Sequence, residues 1–195
     1  AVIVLGYLSY TKYIVEPKQS EAMNEMFTAK NYFNEALDAT EKDSLFNLAL
    51  NGAEGKFGFI DIIDNYGGTP AANLSNYYAG VSFYNLKDYQ KAISYLSDFS
   101  SDDIILSALA KGKIGDAFAQ LNQLDDALDY YEKAVAASDN DFTTPMFLYK
   151  AATVALDQGN AKKALAHFET IKNVYPKATE ASNIDALIGS AKSRL

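Results

Sequence analysis

His167 and a handful of closely spaced aspartates are the residues of this sequence best suited to chemistry. A histidine near its ordinary pKa can shuttle protons or ligate a metal. Either role needs partners, and the chain has no Cys and no nucleophile-elbow signature to supply them. His167 therefore reads as a packing or surface residue. Asp139 and Asp141 in "SDNDF" have the spacing of a calcium loop, but the Gly and closing Glu of that loop are missing. They read as a capped, solvated turn. Asp61/Asp64 and Asp125/Asp129 stand at helical spacing and could share a cation, yet the same spacing builds an exposed polar helix face. "NGAEGKFG" (51–58) superficially matches a phosphate loop. It lacks the glycine spacing, has Phe57 where a magnesium-binding hydroxyl belongs, and follows no strand. The sequence thus predicts no catalytic residue, no cofactor and no metal. An enzyme with an acidic metal site is the rival reading.

Composition narrows the classes further. The 195 residues carry a formal net charge of −8, with 25 acidic and 17 basic side chains, and Arg194 is the sole arginine. A nucleic-acid binder needs a concentrated basic face, so nucleic acid is excluded as a partner. Apolar residues make up 49%, enough for a core rather than disorder. Absent cysteines leave the redox compartment open.

The elements that would carry any site are repeated. "YYAGVSFYNLKDYQKAISYL", "GKIGDAFAQLNQLDDALDYY" and "YKAATVALDQGNAKKALAHF" align without gaps, offset by 35 and 37 residues. Each has a small residue (Gly80, Gly115, Ala152), then Phe83, Phe118 or Ala155 three later. An Ala follows at twelve (Ala92, Ala127, Ala164), and four beyond it comes Leu96, Tyr131 or Phe168. Small residues let two antiparallel helices approach, and the large residue one turn on fills the groove beside them. The polar middles "NLKDY", "NQLDD" and "DQGNA" predict a short turn and a capped second helix. Ser101 before Asp102 and Asp103, and Thr143 or Thr144 before Pro145, read as further helix starts.

At these residues the chain resembles the tetratricopeptide repeat family, in which helix pairs of about 34 residues stack. The resemblance implies an all-α, right-handed solenoid of antiparallel helix pairs, about three full units flanked by an irregular first unit and a C-terminal capping helix. Pro176 fits the closing position of a unit, and "TEASNIDALIGSAKSRL" fits the cap. In the irregular unit a first helix is expected over 18–39, with Gly55 as the crossing residue and Phe59 as the aromatic. "TEKDSLFNLALNG" is expected as an overlong turn between them.

In such an array the first helices of successive units line the inner wall. The face opposite the crossing residues carries Tyr77, Val81 and Tyr84, then Leu109 and Asp116, then Met146, Tyr149 and Thr153. Tyr offers a rigid apolar ring with a polar tip, suited to holding a peptide. These eight residues are the candidate peptide groove. Lys113 and Lys150 are expected beside the strip rather than on it, which disfavours the family's grip on a C-terminal carboxylate.

The first sixteen residues, "AVIVLGYLSYTKYIVE", are apolar and then turn aromatic. They are read as the remnant of a transmembrane anchor, with Tyr7, Tyr10, Tyr13 and Lys12 as its interfacial belt, or else as an ordinary N-terminal helix. Residues 17–195 would form the repeat domain. "YIVEPKQSEAMNEMF", "FIDIIDNYGGTPAANLSNYYAG" and "GDAFAQLNQLDDALDYYEKA" are similar to bacterial single-span tetratricopeptide proteins, among them the ancillary partner of the Sec translocon. That resemblance implies a membrane-tethered, periplasmic, non-enzymatic scaffold whose partners are proteins or peptides, with the translocon or periplasmic clients among them. An oligomerisation element, dimerising through the apolar opening segment, is the alternative.

Overall fold

The computed structural model describes residues 4–6, 11–137 and 139–195. These residues are all-α, with no strand beyond one isolated bridge between Ala53 and Lys56. They divide into two compact units at Phe99/Ser100.

The first unit includes, among the described residues, α1 (Glu16–Asp38), α2 (Asp43–Asn51), α3 (Phe59–Asn65), α4 (Pro70–Asn85) and α5 (Tyr89–Ser97). A short π-helical turn, Thr11–Val15, leads into α1. Helix α1 buries Ala22, Met26, Ala29, Phe33 and Ala36, an i, i+4, i+7 stripe that faces α2 and α4. Phe33 is the hub of an aromatic core. Its ring meets Phe46, Phe59 and Tyr78 edge-on at 5.7, 6.2 and 5.0 Å, while Phe59 stacks on Tyr78 at 5.1 Å.

The irregular unit differs from the sequence expectation. "DSLFNLALN" is a helix of its own, because Phe46, Ala49 and Leu50 share one face and are buried. It is α2, not Phe59 and its neighbours, that packs as the partner of α1. Gly55 is no crossing residue. It has a φ of +76° and lies in the turn between α2 and α3, with open space where a side chain would be. Gly52 is the demanding position of that turn. Its φ is +72°, and a Cβ there would stand 2.0 Å from the Lys56 carbonyl oxygen.

The second unit holds α6 (Ile104–Gln120), α7 (Leu124–Ala137), α8 (Thr143–Asp157), α9 (Ala161–Val174) and α10 (Ile184–Lys192). Each packs on the next in sequence, and a 3-10 turn at Thr179–Ala181 touches α8 and α9. Gly115 approaches α7 so closely that a Cβ would meet Tyr131 at 2.7 Å and the Ala127 carbonyl at 3.2 Å. In the first unit Gly80 stands against Leu96 and Ala92 in the same way. These are the crossing contacts that the spacing predicts.

Three turns share one geometry. Lys87, Asn122 and Gly159 take φ of 65°, 57° and 77° at the ends of α4, α6 and α8. The next residue's N–H reaches back to the carbonyl of Phe83, Phe118 or Ala155, closing a Schellman motif each time. Asp88 and Asn160 then cap the following helices by accepting from the Lys91 and Lys163 N–H groups. The other two expected helix starts move. Asp103, not Ser101, caps α6 by accepting from Leu106 N–H. Asn140 organises the start of α8, its side-chain oxygen accepting from the Phe142 and Thr143 N–H groups.

The single-pass membrane expectation is overturned. Among the described residues no helix is long and apolar enough to cross a membrane. Helix α1 has the length, 23 residues, but its sequence includes Glu16, Lys18, Glu21, Glu25, Lys30, Glu35 and Asp38. Of the expected interfacial belt, Tyr7 and Tyr10 lie outside the described residues, while Lys12 and Tyr13 are exposed.

Candidate protein-binding surface

On α4 the candidate residues Tyr77, Val81 and Tyr84 follow one another at four and three residues and are all half-buried. Tyr77 leans edge-on against Tyr78 at 5.8 Å and tilts toward Phe99 at 5.3 Å. Burial, with the Tyr78 ring beside it, raises its hydroxyl pKa above 10. Tyr84 meets Tyr89 edge-on at 5.5 Å. These rings are braced by neighbours, so their orientation is set before any ligand arrives.

In the second unit Leu109 on α6 and Met146 and Tyr149 on α8 are half-buried and pack against the core. Tyr149 meets Phe168 of α9 edge-on at 6.1 Å. Thr153 is exposed, and its hydroxyl donates to the Tyr149 carbonyl at 2.9 Å. Met146, Tyr149 and Lys150 form one wall of a cleft of about 330 Å³. The facing wall comes from residues after the last repeat, Glu180 in the 3-10 turn and Leu187 on α10.

Asp116 plays a part that the spacing did not predict. Its side chain is only 13% exposed, and it accepts from the Tyr131 hydroxyl at 2.9 Å. Lys150 Nζ stands 2.6 Å from Oδ1 and Lys113 Nζ 3.3 Å from Oδ2. The two lysines expected beside the strip thus converge on its one acid. Helices α6, α7 and α8 are tied at this carboxylate, and the Lys150 ammonium also lies 5.7 Å from the Tyr131 ring centre.

His167 and four of the suggestive aspartates have structural partners. His167 Nε2 lies 3.2 Å from Glu132 Oε1, and Lys163 pairs with the same carboxylate at 2.9 Å. In the aligned repeats His167 takes the place of Tyr95 and Tyr130, whose rings lie against Phe83 and Phe118 at 5.2 and 5.4 Å. Ala155 replaces the phenylalanine here, so the position has no ring to pack on and turns to Glu132 instead. Asp61 Oδ2 accepts from Gly58 N–H, and Asp129 pairs with Lys133. Asp125 accepts from Gln158, and Asp139 from the Tyr175 hydroxyl at 2.8 Å. Among the described residues no three His, Asp or Glu side chains converge as metal ligands.

Family models described as tetratricopeptide repeat match residues 75–102, 106–142 and 147–178. The matched stretches are the pairs α4/α5, α6/α7 and α8/α9, the same three segments that align internally. The matches support the tetratricopeptide repeat family and, with it, the general role of such repeats as protein-interaction scaffolds. Comparison with curated proteins returns no match.

Proposed function

We propose that this chain is a non-enzymatic scaffold that binds extended peptide segments on the exposed faces of its first helices. Tyr77, Val81 and Tyr84 would serve the first unit. Leu109, Met146, Tyr149 and Thr153 would serve the second, with Asp116 holding the surface together. The observation that carries this reading is the cleft beside α8. A matched repeat presents there an open, partly apolar concavity whose ring, Tyr149, is held on edge by Phe168. A braced ring loses little entropy on binding, which favours affinity.

The test is a cellulose-bound array of peptides probed with the labelled full chain. Apolar segments of secreted proteins, the clients implied by the resemblance to envelope proteins, are included among the peptides. Binding that drops when Tyr149→Ala replaces wild type supports the reading. Absence of binding to any array peptide, or binding indifferent to the substitution, contradicts it.

A further inference from the structure

The two walls of the α8 cleft carry unlike electrostatic balances. Lys150 belongs to the α8 wall and pairs at 2.6 Å with Asp116, a carboxylate that it shares with Lys113, so this side keeps a net positive charge. Glu180 belongs to the opposite wall and is half-buried. Among the described residues its carboxylate meets no Lys, Arg or His, whereas Asp116, Glu132 and Asp185 in the same unit all do. Apolar surface comes from both walls, Met146 and Tyr149 on α8 and Leu187 opposite.

A carboxylate that is partly withdrawn from water gains from a cation brought to it, because fewer waters compete for its oxygens. Apolar surface beside it favours a cation on a long aliphatic stem, which covers the surface with methylenes while the head stays at the charge. The aromatic wall adds attraction for the same head. At about 330 Å³ the cleft is near the lower limit of ligand pockets, ~300–1,000 Å³. It has room for one or two side chains rather than a large cofactor. The chain's net charge of −8 draws basic segments toward it at long range.

Building on the peptide-binding reading above, we propose that the cleft selects a lysine or arginine side chain of the bound segment. The stem lies on Met146 and Leu187, and the cationic head meets Glu180. The α8 wall is what the repeat supplies, and selectivity comes from the turn that follows the last repeat.

The test uses the full chain and sets of peptides identical except for one position, which is Lys, Arg, norleucine or Glu. Norleucine keeps the stem and removes the charge. Calorimetry on wild type should show Lys and Arg peptides bound about three- to tenfold more tightly than norleucine, the range for a half-exposed charge contact. The preference should shrink in high salt. Glu180→Gln should bring the peptides level, and Glu180→Lys should reverse the order toward Glu. Tyr149→Ala should weaken all four. Glu180 makes no ion pair among the described residues, so both variants should keep the wild-type melt by circular dichroism. Peptides that bind wild type without a basic preference, or a preference that survives Glu180→Gln, overturn this inference and leave the scaffold reading standing. Failure of wild type to bind any peptide overturns both.

Discussion

Gly112→Ala should destabilise the protein, although it replaces a poor helix former with the best one. Within a helix the exchange alone favours Ala by ~1 kcal/mol. Gly112 lies inside α6, however, and a Cβ there would stand 1.8 Å from Cε1 and 2.1 Å from Cζ of Phe147 on α8. Carbon atoms pack at ~3.5–4.0 Å, so the ring would have to move by more than an ångström. Phe147 is 2% exposed and stacks on Tyr131 at 6.4 Å, which leaves it no free direction. Overpacking costs ~1–3 kcal/mol and loss of a buried Phe ~3–5 kcal/mol. A gross cost near 3 kcal/mol, less the helix gain, predicts a net loss of about 2 kcal/mol. That lowers Tm by about 4–8 °C for a chain of this size. Gly189→Ala is the control. It too is within a helix, α10, but meets nothing within 4 Å, so it should raise Tm by about 2–4 °C. Thermal and urea melts measure both. Pairing Gly112→Ala with Phe147→Leu should recover part of the combined loss, because the smaller side chain frees the space. A Gly112→Ala protein as stable as wild type would refute the close approach of α6 and α8.

Lys87→Gly and Asn122→Gly should each leave Tm level or raise it slightly. A residue without Cβ removes ~1 kcal/mol of left-handed strain, offset in part by a floppier unfolded chain; a clear fall on urea denaturation would contradict the turn geometry. Gly159→Ala at the equivalent position should cost about 1 kcal/mol by the same measure. Asp116→Ala should cost ~1–3 kcal/mol, since it strands two ammonium groups and the Tyr131 hydroxyl at one partly buried point; an unchanged melt would show the cluster to be idle. Burial and the Asp139 carboxylate raise the Tyr175 pKa above 10. Its contribution is therefore intact below pH 10 and lost as pH climbs through the raised value. Alkaline melts should fall above about pH 10, and Tyr175→Phe should remove part of that fall, the rest belonging to Tyr66, Tyr77 and Tyr78.

Gly80 against Leu96 and Gly115 against Tyr131 were legible because both partners of each crossing belong to one helical hairpin, so the contact writes a fixed spacing into the sequence. The same offsets link Lys87, Asn122 and Gly159, and a search at those offsets for turn residues would have found the shared left-handed position. Helix α2 was not legible as the partner of α1. Its place depends on Phe33 meeting Phe46, Phe59 and Tyr78, contacts between distant segments that leave no period. Met146 and Tyr149 came from helical periodicity, which works wherever a repeat has a regular face. Glu180 did not, because the stretch read as the capping helix opens with a 3-10 turn, Thr179–Ala181, placed by packing on α8 and α9. Lys150 was expected beside the strip from its place on the helical face; its bond to Asp116, 34 residues away and on a different helix, leaves no local spacing to read.

The central claim is that peptides bind on the first-helix face of a repeat, and amide-resolved NMR tests it most directly. The full chain, labelled with ¹⁵N, is titrated with the tightest peptide from the array. The account predicts shifts concentrated at Met146, Tyr149 and Lys150 on α8 and at Glu180 and Leu187 across the cleft, with the outer residues of α9 such as Lys162 and Ala166 unmoved. Shifts centred on α9 instead, with α8 and the 180–187 segment silent, would contradict it.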